Sequence, residues 1–298
     1  MTLSAPTATT QAAAVPKQPT KTSARQGTGG AYLRMVPFAA LLVLAVIGPW
    51  IVPYDPMLVV GVPSSPPSAQ FWFGTDSNGL DVFSRTIAAI RLDVLMALTV
   101  SLLATAGALL IGLLVGLWES ERNVLGMLAR AVGRAIDLLQ AIPVMVAGLV
   151  LISFFGRNVT VIVLSLALIL MPFQARLVRT EVLRVRGAGF VGAGRMAGES
   201  EFRVALMRIL PNSWATGLAN TSSIFGMAVI YAAALGFLGV GIPLPTPEWG
   251  SMLSLGAPDA AVGRWWPVFF PAAALALAVW SAAEAVAGIG ILRGKRSR

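Results

Sequence analysis

Long apolar stretches alternate with short polar segments along most of the chain. Six of these stretches approach the roughly 20 residues that a helix needs to cross the hydrocarbon core of a bilayer. The first has no small-residue cleavage site, which favours an uncleaved span over a signal peptide. The pattern predicts an all-α polytopic membrane protein with six transmembrane helices. The spans run approximately over residues 35–54, 93–117, 134–155, 158–176, 214–240 and 267–292.

The basic residues predict the orientation of these spans. With the N-terminus inside, the inner segments are 1–34, 118–134, 176–213 and 293–298, and they hold 18 of the 22 Lys and Arg residues. The opposite orientation would place those basic residues outside, against the positive charge that cytoplasmic loops normally carry. Both ends of the chain are therefore predicted to be cytoplasmic.

Composition agrees with a membrane protein and excludes most enzymes. Hydrophobic residues make up 56% of the 298 and charged residues 12%, whereas a soluble domain carries about 25% charged residues. The chain has no cysteine and no histidine, which removes disulfides, thiolates and the usual general base. No P-loop motif for ATP is present. The basic inner segments account for the net charge of +9 without nucleic acid as a partner.

The predicted spans divide the chain into four regions. Residues 1–34 lack a hydrophobic period and predict a disordered cytoplasmic tail, followed by the first transmembrane helix at 35–54. An external loop covers 55–92. Residues 93–298 then form a core transmembrane domain with a cytoplasmic loop at 176–213.

A second external loop, residues 242–266, is rich in proline and tryptophan. Trp249, Trp265 and Trp266 suit anchors at the membrane boundary, where tryptophan is enriched. A docking surface for a partner protein is the alternative interpretation.

The cytoplasmic loop at 176–213 is the most informative segment. Phe190 to Gly198 consists mainly of small residues and predicts a short helix that Gly198 ends in the left-handed conformation. A helical pattern resumes at Glu199 and is expected to stop at Pro211. Two short helices joined at Gly198 would form a knuckle in the cytoplasm, with small side chains that let a partner approach the backbone closely.

This segment resembles the signature loop of binding-protein-dependent permeases: Glu-Ala-Ala, three residues, Gly, nine residues, a hydrophobic position, any residue and Leu-Pro. Gly192-Ala193-Gly194 stands at Glu-Ala-Ala, Gly198 at the glycine and Leu210-Pro211 at Leu-Pro. Gly192 replaces the frequent Glu, and Arg208 stands where this subfamily commonly has His. In the family this loop sits in a groove of the ATPase subunit and transmits its closure. An amphipathic helix with its arginines on anionic lipid is the alternative. The resemblance implies an ATPase-coupling role for Phe190, Gly192, Ala193, Gly194, Arg195, Met196, Ala197, Gly198, Glu199, Ser200, Leu210 and Pro211.

Two further stretches resemble the dipeptide, oligopeptide and nickel permeases. Residues 73–85 are similar to the Gly-Thr-Asp…Gly-Arg-Asp-Val…Ser-Arg stretch before the second span, with Leu80 in place of the Arg. Residues 235–250 are similar to the segment Leu-Ser-Phe-Leu-Gly-Leu-Gly…Pro-Pro…Trp-Gly, with Gly236 in place of the Ser. Together the three matches resemble the second of the family's two permeases. The external positions that match are Gly74, Thr75, Asp76, Gly79, Asp81, Pro247, Trp249 and Gly250.

The resemblance implies a permease subunit of the bacterial inner membrane with the fold of a type I ABC importer. Its implied partners are a homologous second permease, one or two cytoplasmic ATPase subunits, an external solute-binding protein and the lipid bilayer. ATP and Mg would bind the partner ATPase, so this chain needs no cofactor and is not itself an enzyme. Short peptides are the expected cargo. Nickel or haem transport within the same family and a stand-alone secondary transporter are the alternatives.

Three polar residues fall within the predicted spans. Asp137 and Gln140 share one helical face, and Arg134 precedes Asp137 by three residues, so an Arg134–Asp137 ion pair is favoured over a substrate contact. Glu284 has no cationic neighbour in sequence, which leaves a channel-facing position and a bond to another span open. Prolines 143 and 172 predict kinks within their helices.

The second span also carries a stripe of small residues, spaced four apart from Ala104 to Gly116. Such a stripe allows close helix–helix packing, either within the chain or against a partner subunit.

Overall fold

The computed structural model describes residues 28–296, in which helices are joined by short turns and two longer loops. A π-helical turn (Ala205–Ile209) joins α7 to α8. A disordered tail is predicted for residues 1–34, and residues 1–27 of it lie outside the described part of the chain. The helices are α1 (Thr28–Ile51), α2 (Val82–Trp118), α3 (Val124–Leu139), α4 (Val144–Phe155), α5 (Val159–Arg186), α6 (Gly189–Met196), α7 (Glu201–Val204), α8 (Leu210–Ala219), α9 (Thr221–Phe237), α10 (Trp249–Ala261) and α11 (Trp266–Arg296).

Among the described residues, five helical segments are long and apolar enough to cross a membrane. They are α1, α2, α5, the run from Glu201 to Phe237, and α11. The helices α3 and α4 make a sixth span if they are counted together. The all-α polytopic fold predicted from the sequence is confirmed.

The third predicted span, 134–155, is interrupted. Helix α3 ends at Leu139, α4 begins at Val144, and the two are bent by 95°. Pro143 explains the interruption, because proline lacks the N–H that would continue the helix and its ring disfavours a helical preceding residue. The continuous helix expected here is therefore corrected to two helices, and the expected kink is a full break.

Other helix boundaries also differ from the prediction. Helix α1 starts at Thr28 instead of residue 35, and α2 starts at Val82 instead of residue 93. Asp81 caps α2, since its carboxylate accepts the N–H of Ser84 at 2.8 Å. Helix α10 lies inside the segment that was expected to be an external loop.

The small-residue stripe of α2 packs inside the chain. A Cβ placed on Gly112 would lie 2.6 Å from the carbonyl oxygen of Ala175, and one on Gly116 would lie 2.7 Å from Val182, both on α5. Ala104 and Ala108 of the same stripe are fully buried. The stripe therefore lets α2 and α5 approach each other closely, and packing within the chain is the interpretation that holds.

The two ends of the bundle differ in chemistry. The basic end carries residues 119–123, the arginines of α5 and the segment 187–200. The loop end carries the loops 52–81 and 238–248. Helices α2 and α5 run between the two ends.

Candidate functional site

Helix α6, the turn after it, helix α7 and the π-helical turn form the knuckle (residues 189–211), at the place where the sequence predicts two short helices joined at Gly198. Helix α6 ends at Met196, and Gly198 follows with a φ of +80°. The N–H of Glu199 donates to the carbonyl of Gly194 at 3.1 Å, and the N–H of Gly198 donates to that of Arg195 at 3.0 Å. These two bonds form a Schellman motif, which closes a helix through a residue with positive φ. The left-handed stop at Gly198 is confirmed.

The remaining small residues of the knuckle make local contacts. Ala193 accepts the N–H of Ala197 at 3.0 Å, which completes the last turn of α6. The Ser200 hydroxyl accepts the N–H of Arg203 at 3.3 Å and caps α7.

One side of α6 is anchored in the bundle. The side chain of Val191 is fully buried and belongs to a cluster with Val182 and Val185 of α5 and with Val204 and Ile209. Burying a valine contributes roughly 1.5–3 kcal/mol relative to exposure. The knuckle is therefore packed on the basic end of α5.

An ion pair closes the knuckle across its two helices. The Arg208 guanidinium donates to the two Glu199 carboxylate oxygens at 2.6 and 2.7 Å and to the carbonyl of Phe190 at 3.1 Å. The hydrogen bonds from Arg208 lower the pKa of Glu199. A planar guanidinium matches a carboxylate with two parallel bonds. Arg208, which stands where the subfamily commonly has His, thus joins the π-helical turn to α6 and to the turn after it.

The other side of α6 is open. Among the described residues, no atom lies within 4 Å of a Cβ placed on Gly189 or Gly192. Met196 is 86% exposed and Phe202 is 77% exposed beside this surface. A smooth backbone surface flanked by exposed apolar side chains fits contact with another protein.

Pro211 does not end the helix, contrary to the prediction. The N–H of Leu210 donates to the carbonyl of Ala205, five residues earlier, which makes the preceding turn π-helical. Local π adjustment is one way in which a helix accommodates a proline without ending. The helix continues through α8 and, after Asn220, into α9. The knuckle is thus joined directly to a long helical segment of the bundle.

Acidic residues after α2 bind the arginines of the basic end. Arg179 donates two hydrogen bonds to Glu119 at 2.5 and 2.6 Å, and Arg186 donates to Glu121 at 2.6 Å. Arg130 of α3 donates to the carbonyls of Glu119 and Glu121, both at 2.8 Å. These bonds tie the ends of α2, α3 and α5 together. Sequence reasoning missed this network, although the acidic residues in a basic segment were a signal for it.

The ion pair predicted between Arg134 and Asp137 is wrong. The Asp137 carboxylate lies 3.3 Å from Arg179 and 3.9 Å from Arg176. Both arginines lie on α5, which packs along this face of α3 and supplies the cations that the local sequence spacing could not reveal. The side-chain amide of Gln140 is 3.5 Å from the carbonyl of Pro172, also on α5.

Glu284 of α11 contacts another span. Its carboxylate lies 3.7 Å from the guanidinium of Arg34 on α1. One turn later, a Cβ on Gly288 would lie 2.6 Å from the carbonyl of Ala31, so the two helices approach closely here. The sequence left open whether Glu284 faces the channel or bonds to another span, and the structure shows the bond to another span.

The Gly-Thr-Asp stretch forms a compact turn at the loop end. The Asp76 carboxylate accepts the N–H groups of Asn78 at 2.8 Å and Leu80 at 3.0 Å. Gly74 and Gly79 have φ values of +72° and +77°, which favour glycine. The Asn78 and Leu80 bonds make this carboxylate the centre of the turn.

Thr75 and Arg85 tie this turn to the rest of the loop end. The indole N–H of Trp266 donates to the carbonyl of Thr75 at 3.0 Å. Arg85, which is fully buried, donates to the carbonyls of Pro56 at 2.8 Å and Pro245 at 2.9 Å. Sequence reasoning counted Arg85 among the basic residues and missed this role.

Trp249 and Trp266 are buried core residues and not interfacial anchors. The backbone N–H of Trp249 donates to the Asp93 carboxylate at 3.0 Å, and its indole donates to the carbonyl of Thr86 at 3.1 Å. Glu248 caps α10 by accepting the N–H of Gly250 at 2.9 Å, and burial raises the pKa of this carboxylate. The alternative of a docking surface fails for both tryptophans as well, because neither is exposed.

The last external positions have packing roles. Gly250 lies against the backbone of Ala233, so it permits close contact between α10 and α9. Pro247 lines an apolar cavity of about 620 Å³ together with Arg91 and residues of α2 and α5.

Comparison with known proteins gives one family and many relatives. The family described as "binding-protein-dependent transport system inner membrane component" matches residues 108–286. The chain is 33% identical to the di/tripeptide transport system permease protein DppC of Pseudomonas aeruginosa over 250 residues. This aligned region covers 81% of this chain and 80% of that protein. The chain is 34% identical over 238 residues to the probable D,D-dipeptide permease DdpC of Escherichia coli, with 80% and 78% covered. It is 32% identical over 243 residues to the glutathione permease GsiD of Escherichia coli, with 80% and 77% covered.

Proposed function

The chain belongs to the family of inner membrane components of binding-protein-dependent transport systems, and we propose that it forms half of an import pathway for short peptides. It is a multi-pass permease. A homologous second permease supplies the other half, and an external solute-binding protein delivers the cargo. The names of the relatives support short peptides as the cargo, because they describe transport of dipeptides, tripeptides and glutathione.

The knuckle carries the proposal that a separate ATPase drives transport. Its open side presents Gly189 and Gly192 without covering side chains, and Met196 and Phe202 extend beside them. A groove on a partner protein can therefore contact the backbone of α6 directly. We infer that this surface docks into a cytoplasmic ATPase subunit, which binds ATP and Mg.

The attachment of the knuckle supports its use as a lever. Val191 is buried against α5, and Arg208 of the π-helical turn binds Glu199, which follows α6. The π turn continues into α8 and α9 without a flexible linker. A displacement of α6 is therefore passed to α5 and α9, and closure of the ATPase rearranges the spans so that access alternates between the two sides.

On this proposal, the basic end lies in the cytoplasm. The open surface of the knuckle, the arginines of α5 and the acidic residues after α2 all belong to that end. The orientation agrees with the excess of Lys and Arg that inner segments carry. The loop end then faces the solute-binding protein.

Affinity co-purification from native membranes tests the coupling role. We compare the intact chain with Met196→Glu, which places a charge on the open side of the knuckle without touching its buried anchor. Phe154→Glu is the matched control, because Phe154 is 83% exposed and lies at the opposite end of the bundle. ATPase and second permease are expected to accompany the intact chain. The ATPase alone is expected to be lost from Met196→Glu and kept by Phe154→Glu.

Cargo is tested by uptake of radiolabelled Ala-Ala into proteoliposomes that contain the purified complex and its binding protein. ATP-dependent uptake supports the peptide assignment. A complex that hydrolyses ATP but takes up no peptide removes that assignment, and a chain that never binds an ATPase removes the importer proposal altogether.

A further inference from the structure

The interruption between α3 and α4, called the break segment (residues 140–143), lies at the depth of the hydrocarbon core. The Gln140 amide is 3.5 Å from the carbonyl of Pro172, which is thirteen residues after the start of α5 at Val159. At about 1.5 Å per residue, the contact is about 20 Å from the loop end of α5. The hydrocarbon core is about 30 Å thick, and α5 has no charged residue before Arg176. The break segment is therefore inside the membrane.

The break segment combines exposed residues with backbone carbonyls that accept no hydrogen bond, although its N–H groups are all paired. Ala141, Ile142 and Pro143 are all exposed on the surface of the chain. In the part of the chain that the structure describes, no group donates to the carbonyl of Gln140, Ala141 or Ile142. Non-helical backbone at membrane depth is tolerated only where protein buries it or where it lines a water-filled cavity. Direct contact of these carbonyls with lipid is therefore excluded.

Charged side chains next to the break segment indicate whether water or another protein lies against this surface. Asp137 precedes Gln140 by one helical turn, and its side chain is 45% exposed. The Asp137 carboxylate binds Arg179 at 3.3 Å and lies 3.9 Å from Arg176, whose side chain is 62% exposed. Covering the exposed parts of these charged side chains with another protein would remove them from water, which costs free energy. An aqueous surface would solvate both these charges and the free carbonyls.

We propose that the break segment lines the aqueous path of the solute, and that its free carbonyls accept hydrogen bonds from the amide N–H and ammonium groups of a passing peptide. This inference rests on the proposed function and names the surface that the cargo meets. Backbone carbonyls recognise the groups that all peptides share, so they bind the cargo without selecting its side chains.

Substituted cysteines test the exposure to water. The natural chain has no cysteine, so Ala141→Cys and Ile142→Cys each introduce a single reactive thiol. Ala106→Cys is the matched control, because Ala106 is also an exposed alanine but lies on an apolar helical face of α2 between Leu102 and Leu110. The assembled importer is reconstituted in liposomes with a charged methanethiosulfonate reagent on both sides. The cysteine thiolate attacks the reagent sulfur, a mixed disulfide forms and sulfinate leaves.

We expect Ala141→Cys and Ile142→Cys to be labelled at least about tenfold faster than Ala106→Cys, because a thiol in an apolar surrounding does not ionise. If both variants transport Ala-Ala but stay as unreactive as the control, a partner covers the break segment and the inference is overturned. Loss of ATP-driven uptake in the unsubstituted importer would instead refute the proposed function, so the two failures are distinct.

The role of the carbonyls is tested with Pro143→Ala. This change restores an N–H and lets α3 and α4 join into one helix, which would occupy the free carbonyls. Ala-Ala uptake is expected to fall at least about tenfold while ATPase and second permease still co-purify. Pro271→Ala in the continuous helix α11 is the control and is expected to keep uptake. Equal uptake by both variants, with the Pro143→Ala helix shown to be joined, would overturn this part of the inference.

Discussion

Two alanine substitutions in the knuckle should have opposite effects on its stability. Gly198 has a φ of +80°, whereas Gly192 lies inside α6 with helical geometry. Neither position has a described atom within 4 Å of an added Cβ. Steric clash therefore contributes nothing, and each effect comes from backbone conformation alone.

The magnitudes follow from these two conformations. A residue with a Cβ costs roughly 1–2 kcal/mol in the left-handed region, so Gly198→Ala should destabilise the knuckle by about 1 kcal/mol or more. Alanine in an exposed helix interior is about 0.8–1 kcal/mol more favourable than glycine, so Gly192→Ala should stabilise it by nearly that amount. Each change corresponds to a factor of about five in the local opening equilibrium.

Hydrogen exchange with mass spectrometry measures this opening on peptides that cover residues 187–204. Exchange is expected to be about fivefold faster in Gly198→Ala and about fivefold slower in Gly192→Ala, relative to the unsubstituted chain. Peptides from α2 serve as the internal control and should not change. If both variants shift exchange in the same direction, the Schellman turn does not hold the end of α6.

Three further outcomes are expected. Gly112→Ala should lower the free energy of unfolding by about 1–3 kcal/mol because its Cβ meets a backbone carbonyl of α5 at 2.6 Å; Gly107→Ala, which meets only a flexible methionine side chain, should cost less in the same thermal-unfolding assay. Trp249→Phe removes a buried indole hydrogen bond and should cost about 2 kcal/mol, whereas exposed Trp265→Phe should leave the melting temperature unchanged. Hydrogen bonds from Arg208 lower the pKa of Glu199, so the stability that Glu199 contributes to the knuckle is present above the ordinary carboxyl pKa and is lost as pH falls through the lowered pKa. After correction for intrinsic exchange rates, the knuckle amides should therefore open more readily near pH 3 than near pH 6. The Glu199→Gln variant should abolish that difference.

Local chemistry explains why much of this fold was predictable. The length of the apolar stretches predicts the spans, because a helix must satisfy its own backbone in the bilayer. The small residues before Gly198 predict a short helix with a left-handed end, since both the end and its signal lie within a few residues. The same reasoning explains the small-residue stripe, whose spacing already implied close packing.

Partners that are distant in sequence explain the errors. Asp137 pairs with Arg179 because α5 packs along α3, and no spacing within α3 contains that information. Trp249 is buried because Asp93 and Thr86 on α2 accept its two N–H groups, so a residue type typical of membrane interfaces lies in the core. Pro211 was expected to end a helix, but a π turn accommodates it, and this adjustment depends on the bundle that holds both flanking segments.

Helix α5 connects the knuckle to the break segment. Near its basic end, Val182 and Val185 pack against the knuckle, and Arg179 binds Asp137 of α3. Two turns further into the membrane, the carbonyl of Pro172 meets the amide of Gln140 at the break. On the proposed function, a movement of the knuckle displaces α5, and the contacts of α5 with both α3 and α4 carry that displacement to the break between them. The 95° bend between α3 and α4 is the point at which we expect this displacement to change the angle between helices, because breaks between elements absorb such changes more easily than continuous helices do. On this proposal, the break segment and the knuckle are parts of one mechanical element.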